Sequence, residues 1–432
     1  MVADDLTGAN DTGLQFAKEG YSTTVLLHKP EDDSDIPDSN ICVLNTDSRA
    51  ASFDEAYQYV FDFSNAVNKH EYEIIYKKID STLRGNIGIE IDAMMDSFNL
   101  DAAVIVPAYP GNGRKTIGGY HLINGLLLED SDISNDPTYP VKQSFIPEII
   151  KKQSKREVEL IDLRKIRSNS LVSEIESSLE KGKELLIFDC FNYTDMQAIT
   201  TAVNSMDKKI LWVGSAGLTH ALSEGLIEGT PYTSDDMTVL SNHEDPILIV
   251  AGSVSKVTRQ QIAVLRNEGL KVCELDPSIL LEEGITSDIL SSVKKHLEKK
   301  GNLVITTIQD EDSAVRLEEW TKKNNVNPRK VGELIARNLG ELASKLVHSS
   351  KVAGLVLTGG DIAHSTCSWL EIEALQIVEE IEEGIPLSII NGGKFRGLPV
   401  VTKAGAFGND YSLLNSIKRL SGKEMDHKKA IK

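Results

Sequence analysis

Cysteine is scarce in this chain, and the few cysteines are far apart. There are 4 in 432 residues, without a C-x-x-C pair, at positions 42, 190, 273 and 367. Such scattering excludes a disulfide framework or a cysteine zinc site and indicates buried thiols in a reducing compartment. Apolar runs such as 247–251 are far too short to cross a bilayer, and we find no secretory signal. We therefore expect a cytoplasmic protein.

Positive charge is also in short supply. The 46 Lys and Arg residues face 65 Asp and Glu residues, which gives a formal net charge of −19 at pH 7. This balance argues against nucleic acid or an anionic membrane as a partner. It does not exclude an anionic substrate, because basic residues are concentrated locally, between Lys77 and Arg84 and at Arg114 and Lys115.

Several nucleotide and metal motifs are missing as well. The chain has no G-x-x-x-x-G-K-[ST] loop and no G-x-G-x-x-G after a predicted strand, which excludes a Walker-type NTPase and a standard Rossmann dehydrogenase. No two histidines stand at metal-ligand spacing. We therefore expect no metal that is held by a set of protein ligands.

What the chain does contain is a regular alternation of strand-like and helical patterns. This alternation predicts an α/β fold in which each domain has a mostly parallel sheet flanked by helices. A chain of 432 residues is too long for one core. Residues 229–245 are polar and aperiodic and are predicted to link a domain at 1–228 to a domain at 246–432. We expect the ligand cleft between the two domains.

Residues 108–147 form a long stretch rich in Gly, Asn, Asp, Pro and Tyr, and they follow a predicted strand. A long irregular loop in a compact domain is usually functional. Its aromatic and apolar residues favour packing over disorder. His121 is either an acid–base group or a packing residue. Arg114 either clamps a substrate carboxylate or phosphate, or ties its own loop down.

Polar clusters follow three predicted strands of the first half. They are Asp4-Asp5, the segment 45–49 and the segment 77–86. The carboxyl ends of parallel strands share one edge of the sheet, so these clusters are expected to meet. Their bases, carboxylates and hydroxyls suit a small hydroxylated acid, with Arg pairing its carboxylate and Asp and Ser holding its hydroxyls. The alternative is a set of caps and surface ion pairs, which contribute little.

In the second half, glycine-rich turns follow three predicted strands, at 250–255, 357–361 and 401–410. Glycine lets the backbone approach a phosphate closely, and the following helix supplies N–H donors. Lys403 could neutralise such a phosphate, and Asp361 could engage Mg²⁺ through water. Together the three turns predict a site for nucleotide phosphates.

An acid-binding half joined to a phosphate-binding half fits a kinase that closes around two ligands. Phosphoryl transfer depends mostly on positioning and charge neutralisation, with a carboxylate that orients or deprotonates the attacking hydroxyl. Asp5 and Asp80 are the candidates for that carboxylate. Nothing in the residues themselves chooses between them.

The same segments resemble the four-carbon acid sugar kinase family. The resemblance implies a small sugar acid and ATP as partners, Mg²⁺ with the ATP, and transfer of phosphate to the 4-hydroxyl of D-threonate, D-erythronate or 3-oxo-tetronate. It implies an N-terminal acid-sugar domain and a C-terminal nucleotide domain. The matching segments run in order along nearly the whole chain: 3–11, 45–49, 78–86, 107–110, 113–114, 214–217, 252–255, 358–361 and 403–408.

The resemblance also implies which residues form the two sites. The sugar-acid site would be lined by Asp4, Asp5, Arg49, Lys78, Asp80, Ser81 and Arg84. The ATP site would be lined by Ser253, Ser255, Gly359, Gly360 and Gly405, with Asp361, Lys403 and Gly408 in the same motifs. The alternatives are a kinase for another small sugar acid and a non-catalytic sensor of ATP or an acid sugar. A homodimer is compatible with either. Only three residues precede Asp4, so a very short first strand is expected.

Overall fold

The computed structural model describes residues 1–135, 140–223, 245–252, 255–299, 301–308 and 310–423. The chain divides into two compact units, Met1–Pro231 and Tyr232–Lys432. The predicted linker at 229–245 falls almost wholly outside the described residues, and so does Ser253. Both expectations therefore stay predictions.

The main sheet of the first unit is parallel throughout. Its strands pair in the order β2-β3-β1-β4-β11-β5-β10-β9. The short first strand lies between two longer ones. The strands of this unit are β1 Val2–Ala3, β2 Thr23–Leu26, β3 Ile41–Asn45, β4 Ile75–Lys78, β5 Ala102–Val106, β6 Arg114–Ile117, β7 Tyr120–Ile123, β8 Leu126–Leu127, β9 Val158–Ile161, β10 Leu185–Phe188 and β11 Ile210–Gly214.

Helices cover both faces of this sheet. Consecutive strand residues point to opposite faces. Lys77 contacts Glu90 of α3, whereas Lys78 approaches Gly8 of α1, so these two helices lie on opposite faces. The helices are α1 Leu6–Lys18, α2 Phe53–Val67, α3 Ile87–Phe98, α4 Ile146–Lys151, α5 Leu163–Ile166, α6 Leu171–Glu180, α7 Tyr193–Asn204 and α8 Ala216–Ser223, with 3₁₀ turns at Asp33–Asp35, Pro110–Asn112, Leu128–Asp130 and Asp132–Asn135.

Within the stretch 108–147, residues 108–135 are not an irregular loop, which corrects the prediction for that part. Strands β6, β7 and β8 form a separate antiparallel sheet. The Gly118 and Gly119 N–H groups at its first hairpin turn donate to Asp189 at 2.7 and 2.8 Å, which anchors the sheet beside β10. The Gly-Gly and Asn-Gly dipeptides at the two turns were the signal for hairpins. We call this structure the small sheet.

The second unit has a mixed sheet. Its strands pair in the order β13-β14-β12-β15-β18-β17-β16, parallel up to β18 and antiparallel for the last two pairings. The strands are β12 Ile247–Ala251, β13 Lys271–Leu275, β14 Leu303–Thr307, β15 Gly354–Thr358, β16 Ala374–Glu382, β17 Ile385–Asn391 and β18 Pro399–Lys403. The hairpin of β16 and β17 was not expected. The prediction of two α/β units with mostly parallel sheets is confirmed.

One face of this second sheet packs against α9 and α15 in a continuous apolar core. The helices of the unit are α9 Lys256–Asn267, α10 Pro277–Glu283, α11 Ser287–Leu297, α12 Glu311–Asn324, α13 Pro328–Ser349, α14 Gly360–Trp369 and α15 Ser412–Leu420. All four cysteines are free thiols. Within the described ranges, no helix is both long and apolar enough to span a bilayer.

Candidate active site

Arg49 joins two of the predicted polar clusters in the first unit. Asp4 and Asp5 follow β1 directly, and Arg49 lies in the turn after β3. Its Nε and Nη2 donate to Asp4 at 2.7 and 2.9 Å, and its Nη1 and Nη2 donate to Asp5 at 2.9 and 2.6 Å. One guanidinium therefore bridges both carboxylates.

The backbone around these side chains is held by β1 and α1. The N–H groups of Thr46 and Arg49 donate to the carbonyls of Ala3 and Asp4 at 3.0 and 3.2 Å, which continues the parallel ladder past the strand ends. Asp5 is the N-cap of α1 and accepts from the Gly8 N–H at 3.0 Å. The turn that carries Arg49 is thus fixed to the start of α1.

A buried polar network lies under the same turn, on the opposite face of the sheet. Lys77 Nζ lies 2.8 Å from Glu90 Oε2, and Ser48 Oγ donates to Glu90 Oε1 at 2.6 Å. Ser48 and Thr46 hydroxyls are 2.8 Å apart. Sequence reasoning missed Glu90, although an acidic residue in the apolar stretch of α3 was a signal. The network supports the Arg49 turn from below.

In the third cluster, in the loop after β4, the charged side chains pair with each other. Asp80 accepts from Arg84 Nε at 2.8 Å and from Arg84 Nη2 at 3.0 Å, and it also accepts from the Thr82 hydroxyl. Gly85 follows with φ of 98°. A Cβ on Gly85 would stand 3.2 Å from both Arg49 Cγ and Asp4 Oδ2. This close approach brings the third cluster against the other two.

Mutual pairing keeps these groups ionised. Burial acts to raise the pKa of Asp4, but Arg49 and the neighbouring lysines outweigh burial and hold the pKa below its usual value. Burial likewise opposes ionisation of Asp80, but Arg84, Arg49 and the Thr82 hydrogen bond together outweigh burial and lower the pKa of Asp80. Burial lowers the pKa of Arg49, but its three aspartate neighbours raise the pKa well above the ordinary value.

The structure pairs both arginines with protein carboxylates. Their predicted contact with a substrate carboxylate stays a prediction. Arg49 is committed to Asp4 and Asp5, and Arg84 is committed to Asp80 through its Nε and Nη2. The residue types in the three polar clusters were consistent with arginines that pair with protein carboxylates and with arginines that bind a substrate. The short distances among the side chains decided which carboxylates the guanidinium groups pair with.

Lys78 differs from these arginines. It is 4% exposed, and its side chain makes no hydrogen bond or salt bridge in the part of the chain that the structure describes. Its Nζ lies 3.0 Å from the place where a Cβ on Gly8 would stand, in the first turn of α1. An ammonium group and a helix N-terminus, both of which attract anions, therefore meet beside Asp5.

Ser81 is held through its backbone by the small sheet. Its carbonyl lies 2.9 Å from His121 Nε2, and His121 Nδ1 lies 3.3 Å from Thr116 Oγ1. Because a carbonyl only accepts, we place the histidine proton on Nε2. Burial is the main cause that lowers the His121 pKa to about 4, so the ring is neutral at pH 7. His121 is a buried tether of the Asp80 loop.

In the second unit, the turn after β18 points its carbonyls inward. Lys403 Nζ donates to the carbonyls of Ala404, Gly405 and Phe407 at 2.8, 3.3 and 3.2 Å. The Ser255 and Thr258 hydroxyls also donate to the Gly405 carbonyl, at 2.7 and 2.8 Å. Across a trans peptide the next N–H points the opposite way. The N–H groups of residues 405, 406 and 408 therefore face away from Lys403, an arrangement that suits an anion.

Hydrogen bonds join this turn to the other two glycine turns. The Gly359 N–H donates to the Lys403 carbonyl at 2.8 Å, and the Gly252 N–H donates to the Thr358 carbonyl at 3.0 Å. Gly359 is the N-cap of α14, with φ of 104° and no side chain to cap the helix. Gly360 opens that helix, and Asp361 lies in its first turn. The three turns thus form one edge of the sheet.

Two further residues of the predicted phosphate site have structural partners. Lys403 is buried, and its Nζ binds backbone carbonyls, so it shapes the turn from inside. Burial lowers its pKa to about 8, against the opposing effect of Glu382. Gly408 has φ of 80° and lies against the Ser412 hydroxyl, which leaves no room for a side chain. Among the residues that the structure describes, no three His, Cys, Asp or Glu side chains group as a metal site.

Comparison with known proteins identifies the two units. The sugar-binding N-terminal domain family matches residues 1–222, and the nucleotide-binding C-terminal domain family matches residues 248–413. The chain is 32% identical over 423 residues to a D-threonate kinase from Salmonella typhimurium, covering 96% of this chain and 97% of that one. It is 30% identical over 421 residues to a D-erythronate kinase from Heliobacterium modesticaldum, covering 95% and 94%.

The fold is similar to a solved structure from Haemophilus influenzae, with a TM-score of 0.73, 21% identity and 98% of both chains covered. The chain has a sugar-binding unit followed by a nucleotide-binding unit, and the similar proteins are kinases, so its class is that of a small-molecule phosphotransferase. This chain belongs to the four-carbon acid sugar kinase family.

Proposed function

We propose that the protein transfers the terminal phosphate of MgATP to the 4-hydroxyl of a four-carbon sugar acid, with D-threonate and D-erythronate as the leading substrates. The names of the similar kinases support this substrate class. The observation that carries the proposal is that a hydroxyl acceptor, Asp5, and an ammonium group, Lys78, both lie beside Gly8 in the first turn of α1. Lys78 makes no salt bridge to any of the described residues.

Asp5 is the carboxylate we assign to the attacking hydroxyl. Its side chain is 22% exposed, compared with 3% for Asp4 and 12% for Asp80. It can therefore accept a hydrogen bond from a substrate while Arg49 and the Gly8 N–H fix its orientation. As the 4-oxygen bonds to the γ-phosphorus, the bond from phosphorus to the bridging oxygen of ADP breaks, and the hydroxyl proton passes to Asp5.

The other residues of the first unit would bind the sugar acid and neutralise the charge of the phosphoryl group. Lys78 and the N–H groups of α1 would stabilise the negative charge of the transferred phosphoryl group. Asp80, fixed by Arg84, and Ser81 would hold the remaining hydroxyls of the sugar acid. Asp4 keeps Arg49 in place and so positions Asp5.

The second unit would hold MgATP through its backbone. The outward N–H groups of 405, 406 and 408 and the uncapped start of α14 suit the phosphates. Asp361 would contact Mg²⁺ through water, and the ion would come with ATP, so no full protein ligand set is needed. Direct transfer requires the terminal phosphate to reach the hydroxyl.

A coupled ADP-release assay tests the proposal with D-threonate, D-erythronate, their L-isomers and 3-oxo-tetronate. We expect MgATP-dependent turnover with at least one acid and phosphorus coupling at C4 of the product by NMR. Turnover only with three- or five-carbon acids would favour a kinase for another sugar acid. Calorimetric binding of ATP and a tetronate without consumption of either would favour a sensor and refute the kinase.

A further inference from the structure

We propose that Arg114, carried by the small sheet, binds the carboxylate of the sugar acid. The identity of the ligand rests on the proposed function. The assignment of the anion site to Arg114 rests on the contacts of this side chain and on the position of the small sheet beside the Asp80 loop.

Arg114 is a guanidinium without a carboxylate partner. Its Nη1 donates to the Asn112 carbonyl and, at 2.9 Å, to Asn112 Oδ1. Its Nε is buried and has no acceptor, and its side chain makes no salt bridge to any residue in the described ranges. Desolvating an unneutralised cation costs free energy unless an anion compensates it. A carboxylate would supply both the missing charge and the missing acceptor.

The strand geometry directs Arg114 toward the Asp80 loop. Arg114 and Thr116 are two residues apart on β6 and so project from the same face. Thr116 contacts His121, and His121 holds the carbonyl of Ser81. Burial lowers the pKa of Arg114, while the Asp80 carboxylate acts to raise it, which agrees with a position near that loop.

Arg114 is also rigidly mounted. Its backbone exchanges two hydrogen bonds with Tyr109, at 2.9 and 3.0 Å. The preceding residue, Gly113, has φ of 71° and lies too close to the Asn124 side chain to carry a Cβ. The Asn124 N–H donates to the Gly113 carbonyl at 2.8 Å. A preorganised guanidinium loses little freedom when it binds its ligand.

This placement assigns the two ends of the substrate to different cations. The 4-hydroxyl, whose oxygen receives the phosphoryl group, contacts Asp5 and Lys78 at the start of α1. The carboxylate meets Arg114 beside the Asp80 loop. A neutral four-carbon polyol would leave Arg114 without a partner, which explains how an acid would be selected.

The kinetic test compares Arg114→Met and Arg114→Lys with Lys115→Met. Lys115 is on the same strand, and its ammonium lies 3.8 Å from the Phe191 ring centre, so its loss removes the same charge elsewhere. We expect Arg114→Met to raise the KM for the sugar acid by about 10- to 100-fold, the worth of one charge-assisted contact, and to leave the KM for ATP within about twofold. Arg114→Lys should recover part of the loss. Lys115→Met should match wild type, and an unchanged sugar-acid KM in Arg114→Met would overturn the proposal.

Thermal unfolding tests Arg114 without reference to catalysis. Without ligand, Arg114→Met should have a Tm equal to or above that of wild type, because it removes an unneutralised cation. Arg156→Met, which breaks contacts of 2.5 and 2.8 Å to Asp96 and Glu184, should have a lower Tm.

D-threonate should raise the Tm of wild type and not that of Arg114→Met. If wild type neither phosphorylates any tetronate nor is stabilised by one, the proposed function fails. The ligand-free Tm values of Arg114→Met and Arg156→Met still test whether Arg114 has a structural role. A ligand-free Tm of Arg114→Met as low as that of Arg156→Met would show a structural arginine and overturn the inference.

Discussion

The two units build their candidate sites from different materials. In the first unit the polar atoms belong to charged side chains that pair with one another, as Arg49 does with Asp4 and Asp5. In the second unit they belong to the backbone, and the buried cation, Lys403, binds carbonyls. Sugar acids differ in a few hydroxyl positions, which side chains can distinguish, whereas every nucleotide offers the same phosphates, which amides can bind.

A shared feature makes the contrast clearer. In each sheet an alanine at a strand end lies in register between two polar residues: Ala3 between Asn45 and Lys78, and Ala251 between Thr306 and Thr358. Both alanines are fully buried. The comparison predicts that removing a charged group harms the first site, while adding a Cβ or losing the inner cation harms the second.

The largest effect is expected from Asp5→Asn. Asparagine keeps the N-cap of α1 but is a far weaker proton acceptor. We expect kcat to fall by about 10²- to 10⁴-fold. Tm should fall as well, because Arg49 loses one of its two carboxylate partners. Asp80→Asn should mainly raise the KM for the sugar acid, because Asp80 binds Arg84 and is assigned to hydroxyls. A larger loss of kcat in Asp80→Asn than in Asp5→Asn would exchange the two roles.

An intermediate effect is expected from pH. The folded-state pKa of Lys403 is lowered from 10.5 to about 8, mainly by burial. Above pH 8 the charge of Lys403 behind the turn after β18 is lost, so kcat/KM for ATP should fall by up to tenfold per pH unit. The unfolded chain binds more protons between the two pKa values, so the free energy of unfolding should rise with pH in that window.

Lys403→Arg is the control for this pH profile. Arginine stays protonated throughout the range, so the fall in kcat/KM for ATP above pH 8 should disappear. The KM for the sugar acid should not change with the titration of residue 403 in the wild type or in Lys403→Arg. Persistence of the same fall in Lys403→Arg would assign it to another group.

The smallest effect is expected from a single added methyl group. Gly359→Ala and Gly182→Ala both force alanine into positive φ, at 104° and 74°, and each should lose about 1–2 kcal/mol of stability. Gly359 is the N-cap of α14, whereas Gly182 has open space around it. Only Gly359→Ala should raise the KM for ATP, severalfold. Equal ATP KM values in the two variants would show that the start of α14 does not bind the phosphates of ATP.

The sequence was a good guide where a rule of sheet geometry applied. Asp4, Arg49 and Asp80 were expected to converge because parallel strands end at the same edge, and they do. It did not indicate the pairing of Arg49 and Arg84 with protein carboxylates. The small sheet was missed because its strands are short, although its hairpin turns were visible.

Periodicity and strand-end chemistry are local properties, so the order of residues alone determined the two α/β units and the edge of each sheet that carries polar groups. Which cation is neutralised, which remains available, and which carbonyls turn inward depend on differences of an ångström between segments far apart in the chain. Those distances exist only after packing. The tertiary structure therefore decided the pairing of Arg49 with two aspartates, the backbone anchoring of Arg114, and the lack of a salt bridge to Lys78 among the described residues.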